Sequence, residues 1–291
     1  MTLYRQRAPA KVNLALHVTS RRPDGFHELE SLFVFAALCD ELQARENQDD
    51  TLVVSGPFAA DIPSGADNLV LRAASAFRER WPNAAAGGLA FELVKNLPVA
   101  AGIGSGSADA AATLRMLAAT SRFEIETEAL YEVALGIGAD VPACVTSVPC
   151  LVSGIGENLL PVVPFPECYL VLINPLIPIS TPEVFSRLSS TSNPGLPGVA
   201  KKFDDLASLA MWLDNTRNDL ASPATVIVPE IGEISDDLGK TQGCLIARMS
   251  GSGATVFGLF ATGDEADQAG RAMRKKWHKS WVASAPVVAS A

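Results

Sequence analysis

What the chain has little of already narrows its function. Its 291 residues hold only 3 histidines and 5 cysteines, and the cysteines, at positions 39, 144, 150, 168 and 244, form no C-x-x-C pair. Zinc-ligand spacing and an even-numbered disulfide framework are therefore both missing, and reduced thiols in a cytosol are expected. Positive charge is scarce as well: 23 Lys and Arg against 32 Asp and Glu leave a net charge of -9. That balance removes the broad attraction that binding to a phosphate backbone needs, so no nucleic-acid partner is expected. No apolar run approaches the ~20 residues of a membrane span. The apolar stretch after Arg5 and Arg7 is interrupted by Lys11, Asn13 and His17, which does not make a signal-peptide core. The expectation is a soluble, cytoplasmic protein with no membrane partner.

What is present is a globular composition, 48% hydrophobic and 19% charged, in a chain long enough for about two domains. In APAKVNLALHV, Val12, Leu14, Leu16 and Val18 alternate with Lys11, Asn13, Ala15 and His17, the period of a half-buried strand. A turn at Pro23, Asp24 and Gly25 leads to a second alternation that starts near Phe26 and His27. Residues 41–54 read as strand and loop, a helix follows Asp67 or Asn68 as its cap, and LAFELVKNL reads as a strand. Helices are predicted from Ser107 and over Glu128 to Leu135, after which GIGADVPACV leads into a strand. PVVPFPE, with three prolines in seven residues, marks a boundary between domains at 1–163 and 164–291. Beyond it, YLVLINP is a strand, TPEVFSRL a helix, SSTSNPGLPG a flexible loop, CLIARMSGSGATVFGLF two strands around a glycine turn, EADQAGRAMRKKW a closing helix and VVASA a frayed tail. The mixed order predicts an α+β protein.

The stretch from Gly102 to Ser107, GIGSGS, packs three glycines and two serines into six residues immediately before a helix. Backbone N–H groups without Cβ interference and the positive end of a helix together favour a phosphate. It is not a P-loop, because no Lys-Ser or Lys-Thr follows the last glycine. It also departs from the dinucleotide fingerprint, since Ser107 stands three places after Gly104. A surface turn of small residues is the other reading.

Three segments in order, PAKVNL, PVAAGIGSGSADAA and MSGSGATVF, resemble the three-motif pattern of the GHMP kinase superfamily over residues 8 to 260 or so. PDGFHELESLF, IGADVPACV, ISTPEVF and RND, at compatible spacing, are similar to the branch whose acceptor is a cytidyl diphosphate-linked methylerythritol. The resemblance implies transfer of the γ-phosphoryl of ATP, with Mg²⁺, to the 2-hydroxyl of that acceptor on the non-mevalonate route to isoprenoid precursors. It also implies an N-terminal ATP-binding domain, a ferredoxin-like C-terminal domain and substrate between them.

By the same resemblance, Asp140 is the catalytic base and Lys11 its basic partner, while Pro98, Gly102, Ile103, Gly104, Ser105, Gly106 and Ser107 surround the phosphates. A turn or cap aspartate and a solvated strand lysine are the plain alternatives for the first two. Asn13, ~6.6 Å from Lys11 along one strand face, reaches the same ligand or a neighbouring loop. Phe26 and Phe185 flank the cytosine and His27 reads its edge; Phe26 stands where a tyrosine is common, so stacking is kept and a hydroxyl lost. Thr181 bonds the diphosphate or caps a helix. Asn68 and Lys95 line the adenosine or lie on the surface, and Gly251 and Ser252 belong to the third motif or to a simple hairpin. Ala108 and Asp109 replace the Ser-Asn pair of some members, which leaves Ser107 as the candidate metal ligand.

Two rivals stay open: another GHMP small-molecule kinase such as homoserine kinase, which has no use for aromatics around a pyrimidine, and a non-catalytic ligand-binding protein on the same fold. Either is compatible with a monomer or a homodimer.

Overall fold

The alternation predicted for residues 8 to 18 belongs to a longer strand, β1 (Leu3–Arg21), and every residue from Ala8 to Val18 is buried. The strand is therefore covered on both faces, and its polar positions, Lys11, Asn13 and His17, are inside with the apolar ones. In the computed structural model, residues 2–60, 62–63, 65–84, 87–198 and 202–288 are described. They form two compact units that interleave along the chain, and β1 and its partner β2 (His27–Asn47) each contribute to both.

The first unit comprises Met1–Ala10, Leu38–Val99 and Gly104–Thr146. Here the second half of β2 pairs antiparallel with β4 (Gly88–Val94), which pairs parallel with β3 (Thr51–Ser55). Helix α1 (Leu69–Arg80) is capped by Asn68, whose side-chain oxygen accepts from the Val70 N–H at 2.9 Å. Asp50 receives Arg78 through two nitrogens, at 2.5 and 2.8 Å, and so ties the end of α1 to the strands. Helix α2 (Ser105–Ala119) is buried at every position from Ala108 to Leu114, which its alanine-rich sequence permits. It packs against α1 and, with α3 (Thr127–Ile137), against α4 (Val141–Thr146).

Helix α4 corrects the expectation that GIGADVPACV runs directly into a strand. Gly138 ends α3, and Pro142 then sits in the first turn of a new helix, where its missing N–H has no intrahelical acceptor to lose. Helix α2 begins at Ser105, two residues before the predicted start.

The second unit comprises Lys11–Ala37, Ala100–Ile103 and Ser147–Ala291. The first half of β2 pairs with β5 (Cys150–Gly154), which forms a hairpin with β6 (Asn158–Pro161). After β7 (Tyr169–Asn174) come α5 (Thr181–Ser186), α6 (Leu206–Asp214), α7 (Ala221–Ile227) and α8 (Glu230–Gly239). The chain then closes with β8 (Ile246–Met249), β9 (Val256–Phe260), α9 (Gly263–Lys276) and β10 (Trp281–Pro286). The four-stranded sheet has the order β10-β7-β9-β8 with every pair antiparallel, and α8 and α9 pack on it. This is the ferredoxin-like arrangement. Val171, Ile173, Val256 and Phe260 form its core with Ile231, Ile234 and Leu238 of α8 and Ala266, Ala269 and Met273 of α9.

Helices α6 to α8 and strand β10 were not predicted, although the spacing of Ile231, Ile234 and Leu238 and the capping box between Asp205 and Ser208 were visible in the sequence. The predicted frayed tail is only partly described: Ala289–Ala291 lie outside the described residues. Val287 and Val288 are hydrogen-bonded through their N–H groups to Cys168 O and Phe35 O.

The second unit is clasped by one half-buried guanidinium. Arg248 Nη1 donates to Leu14 O at 3.0 Å and Thr216 Oγ1 at 2.9 Å, and Nη2 donates to Leu213 O and Thr216 O at 3.1 Å each. Arg248→Ala leaves several acceptors unsatisfied and is expected to lower the unfolding free energy by about 3 kcal/mol, read as a shift of the urea midpoint. An unmoved midpoint would show that these bonds do not hold β1 to β8.

Candidate active site

In the first unit, Gly104 adopts φ +60°, the left-handed conformation that glycine accepts without strain, and acts as the N-cap of α2. The first-turn amides of Ser105, Gly106 and Ser107 have no carbonyl four residues back inside the helix, so their donors converge on the space before α2. Ala108 N–H already donates to Gly104 O at 2.9 Å. Ser105 Oγ donates to Pro98 O at 3.4 Å, which closes the loop between strand and helix. Asp140 directly precedes α4, and its carbonyl accepts from Cys144 N–H at 3.3 Å.

The earlier start of α2 puts Ser107 in its first turn, half-buried, so a cation held by phosphates would find an oxygen ligand there. Asp109 does not suit that role, because its carboxyl is turned into the interior against Lys95.

Lys95, expected at the adenosine or on the surface, is completely buried, with Nζ 2.5 Å from Asp40 Oδ2 and 2.6 Å from Asp109 Oδ2. The two carboxyls are not equivalent. Asp40 Oδ1 also accepts from Asn96 N–H at 2.6 Å and Leu97 N–H at 2.9 Å, whereas Asp109 Oδ1 is buried without a partner. Loss of hydration pushes Asp109 up to about 7, and the neighbouring Asp40 adds to the rise while Lys95 opposes it. Burial raises Asp40 as well, but Lys95 and the two backbone amides resist. Asp40 is therefore the ionised member and Asp109 the one that holds a proton.

In the second unit, Ala100–Ile103 and the turn Ser250–Gly253 are interlocked. Ser250 Oγ donates to Gly102 O at 2.9 Å and accepts from Asn13 N–H at 3.0 Å. Thr255 N–H donates to Ala101 O at 3.2 Å, and Lys11 N–H donates to Ile103 O at 2.9 Å. Gly102 sits at φ +74°, and a Cβ there would strike Ser250 O; a Cβ on Gly251, at φ +57°, would come within 2.8 Å of Gly102 O. Only glycine allows this approach. The side chain of Ile103 is core, so its backbone alone is available to a ligand.

Lys11 is buried, not solvated. Its ammonium donates to Asn13 Oδ1 at 2.8 Å and lies over the Phe33 ring, 4.4 Å from the centroid. Asn13 Nδ2 donates to Ser31 Oγ at 2.9 Å. Asn218, from the RND segment, donates to Met249 O at 2.8 Å and Gly251 O at 2.9 Å and holds the second glycine turn from behind. Its place next to Arg217 and Asp219 gave no hint of this role, because the partners are distant in sequence.

The His27 and Phe185 rings are stacked with centroids 4.9 Å apart, while Phe26 is 61% exposed. Partial burial, and then the charge of Arg21, hold the His27 imidazole below its ordinary range, so it is neutral at pH 7. Thr181, the first residue of α5, shares a 2.7 Å hydrogen bond with Ser252. The second unit thus brings together Lys11, Asn13, Gly102, Ile103 and Gly251, and separately His27 with Phe185 and Thr181 with Ser252. The first unit gathers Pro98, Gly104, Ser105, Gly106 and Ser107, and gives Asn68 to the cap of α1. Among the described residues no group of three or more His, Cys, Asp or Glu side chains is disposed to hold a metal, and no helix is long and apolar enough to cross a membrane.

Residues 68–147 match the model of the GHMP kinases N terminal domain, and residues 198–279 match that of the GHMP kinases C terminal. A protein of Chelativorans sp. (strain BNC1) named 4-diphosphocytidyl-2-C-methyl-D-erythritol kinase is 48% identical over 276 residues, 94% of this chain and 92% of its own. A solved structure of 4-(cytidine 5'-diphospho)-2C-methyl-D-erythritol kinase superposes with a TM-score of 0.79 at 33% identity, covering 96% of this chain and 98% of that one. Homoserine kinase from Cytophaga hutchinsonii superposes at 0.69 with 19% identity over 99% of this chain and 98% of its own, a likeness of fold alone.

The asymmetry around Lys95 has a pH signature. With an ordinary value of 3.8 and a folded value of about 7, Asp109 binds its proton more tightly in the native state. Its contribution is full below the lower value and is lost as pH rises through the upper one. Asp109→Asn, neutral at all pH, is expected to flatten the decline in urea stability between pH 5 and pH 8. Parallel profiles for parent and variant would assign the proton elsewhere.

Proposed function

The chain belongs to the GHMP kinase family, and from that premise we propose that it transfers the γ-phosphoryl group of ATP to the 2-hydroxyl of 4-diphosphocytidyl-2-C-methyl-D-erythritol. The observation that carries this choice of acceptor is the 48% identity, over 94% of the chain, to a protein bearing that kinase's name. The stacked pair of His27 and Phe185 supports it, since a pyrimidine needs an aromatic face and a polar edge.

In the proposed reaction the bond between the γ-phosphorus and the β–γ bridging oxygen breaks as the acceptor oxygen bonds to phosphorus. The acceptor's proton passes to Asp140, and ADP and a phosphorylated alcohol leave. Most of the acceleration in such a transfer comes from placement and from offsetting charge. The amides of Ser105, Gly106 and Ser107 and the backbone of Gly102 to Gly104 hold the phosphates, with Pro98 bracing the loop. Lys11 supplies a cation that favours the developing alkoxide. Mg²⁺, when bound with the nucleotide, would offset charge on the phosphates, and Ser107 Oγ would be its ligand from this chain. Neutral His27 presents one donor and one acceptor to the base edge, Phe185 its face, and Phe26 the exposed rim. Thr181, Gly251 and Ser252 receive the diphosphate side, and Asn13 the methylerythritol side. Asn68 and Lys95 act behind the nucleotide through the cap of α1 and the buried ion cluster. The division of labour between 1–163 and 164–291 belongs to the same proposal.

The direct test is mass-spectrometric detection of the phosphorylated product from the cytidyl substrate and MgATP, with homoserine as the comparison. Product from homoserine alone would move the chain to another branch of the family. Asp140→Asn is expected to lower turnover by about a hundredfold or more, the usual worth of a general base; turnover at the parent rate would remove Asp140 from that role. His27→Ala is expected to raise the KM for the cytidyl substrate about tenfold, the cost of one lost polar contact, with the KM for ATP unmoved. An unchanged cytidyl KM would place the base elsewhere.

A further inference from the structure

We propose that Ser31 is a positioning residue for Lys11 and that it acts through the side-chain amide of Asn13; its catalytic meaning rests on the phosphoryl-transfer reading, in which Lys11 supplies the cation at the reacting oxygen. Proton bookkeeping leads to this assignment. Ser31 Oγ lies 2.5 Å from Ala15 O, and a carbonyl oxygen only accepts, so the single hydroxyl hydrogen of Ser31 is committed there. Ser31 Oγ can then only accept from Asn13, and the atom 2.9 Å away must be Nδ2. The amide oxygen is thereby turned toward Lys11, where it accepts from Nζ at 2.8 Å.

The backbone of Asn13 is held by the same logic, because Ser250 Oγ gives its hydrogen to Gly102 O and accepts from Asn13 N–H. Ser31, Asn13 and Lys11 are 2%, 3% and 4% exposed, so bulk water does not replace a missing partner freely. Phe33, two positions from Ser31 and so on the same face of β2, places its ring beside the ammonium. A ring face attracts a cation but does not fix which way its N–H bonds point. Asn13 Oδ1 fixes the direction of one of those bonds, and the orientation of Asn13 comes from Ser31. Without the Ser31 hydroxyl, Nδ2 loses its acceptor and the amide rotates in search of another. Oδ1 then leaves its place beside the ammonium, and the ammonium shifts.

The test compares Ser31→Ala with Ser31→Thr, which keeps the hydroxyl, and with Ser31→Cys, which keeps the volume but accepts weakly and serves if the alanine variant does not fold. Ser31→Ala is expected to lower kcat about tenfold, as a displaced charged group does, with the KM for ATP within about twofold, and Ser31→Thr to recover most of the loss. In an Asn13→Ala background the Ser31→Ala change is expected to add nothing, because the path from Ser31 to Lys11 is already cut. An equal loss in both backgrounds, or full kcat in Ser31→Ala, overturns the proposal. Crystal structures of parent and variant supply a readout that needs no turnover: Lys11 Nζ is expected to leave Asn13 Oδ1 in the variant. A retained contact overturns the positioning role even if the parent proves inactive on the cytidyl substrate, an outcome that would by itself overturn only the choice of reaction.

Discussion

The second unit depends on the hydroxyl of Ser250, which lies 237 residues from Asn13 and 148 from Gly102 and bonds to both. One oxygen joins the first strand, the first glycine segment and the second glycine turn. The backbones around it approach so closely that a side chain on Gly102 or Gly251 would collide with a carbonyl. The glycines therefore answer two demands. Gly104 supplies the left-handed cap that opens α2 and Gly106 lets Leu69 pack close to it, while Gly102 and Gly251 allow two segments of main chain to lie against each other. Asn218 then grips the same turn through Met249 O and Gly251 O.

Half-buried and buried cations recur in the fold, and arginines and lysines are satisfied by different chemistry. Arg115 donates to the carbonyls of Cys144, Val145 and Arg7, and Arg248 to those of Leu14, Leu213 and Thr216. These guanidiniums join segments of main chain, a task suited to several donors in one plane. Lys95 is held by two carboxyls and serves the interior of the first unit. Lys11 donates to an amide oxygen and lies against an aromatic face.

The RND segment is a second hub of the same unit. Arg217 N–H donates to His17 Nε2 at 3.0 Å, so His17 must carry its hydrogen on Nδ1, which donates to Pro194 O at 3.1 Å. Burial, and then the charge of Arg217, hold His17 below its ordinary range, and the neutral ring that results is the form this pattern needs. Asp219 receives Val18 N–H at 2.7 Å and Arg217 Nε at 2.6 Å. The loop around Pro194, composed of turn residues and expected to be flexible, is thereby tied to β1.

Local pattern was enough to identify β1, α1, α2, α9 and the pair β8 and β9, because period, caps and glycine turns are properties of neighbouring residues. The three motifs that point to the GHMP kinases are short and contiguous, and so were legible too. Sequence alone also made the loop at Gly102 to Ser107 a candidate anion site, since bare backbone before a helix favours an anion. Tertiary structure decided the rest. Lys95 and Lys11 look alike in a strand pattern, and only the tertiary structure showed that one meets Asp40 and Asp109 and the other Asn13 and Phe33. Ser31 carried no local signal, because a lone serine in a strand acquires an orientation only when Ala15 takes its hydrogen. Hydrogen-bond direction is set by which groups meet across the fold, and no spacing along the chain encodes it.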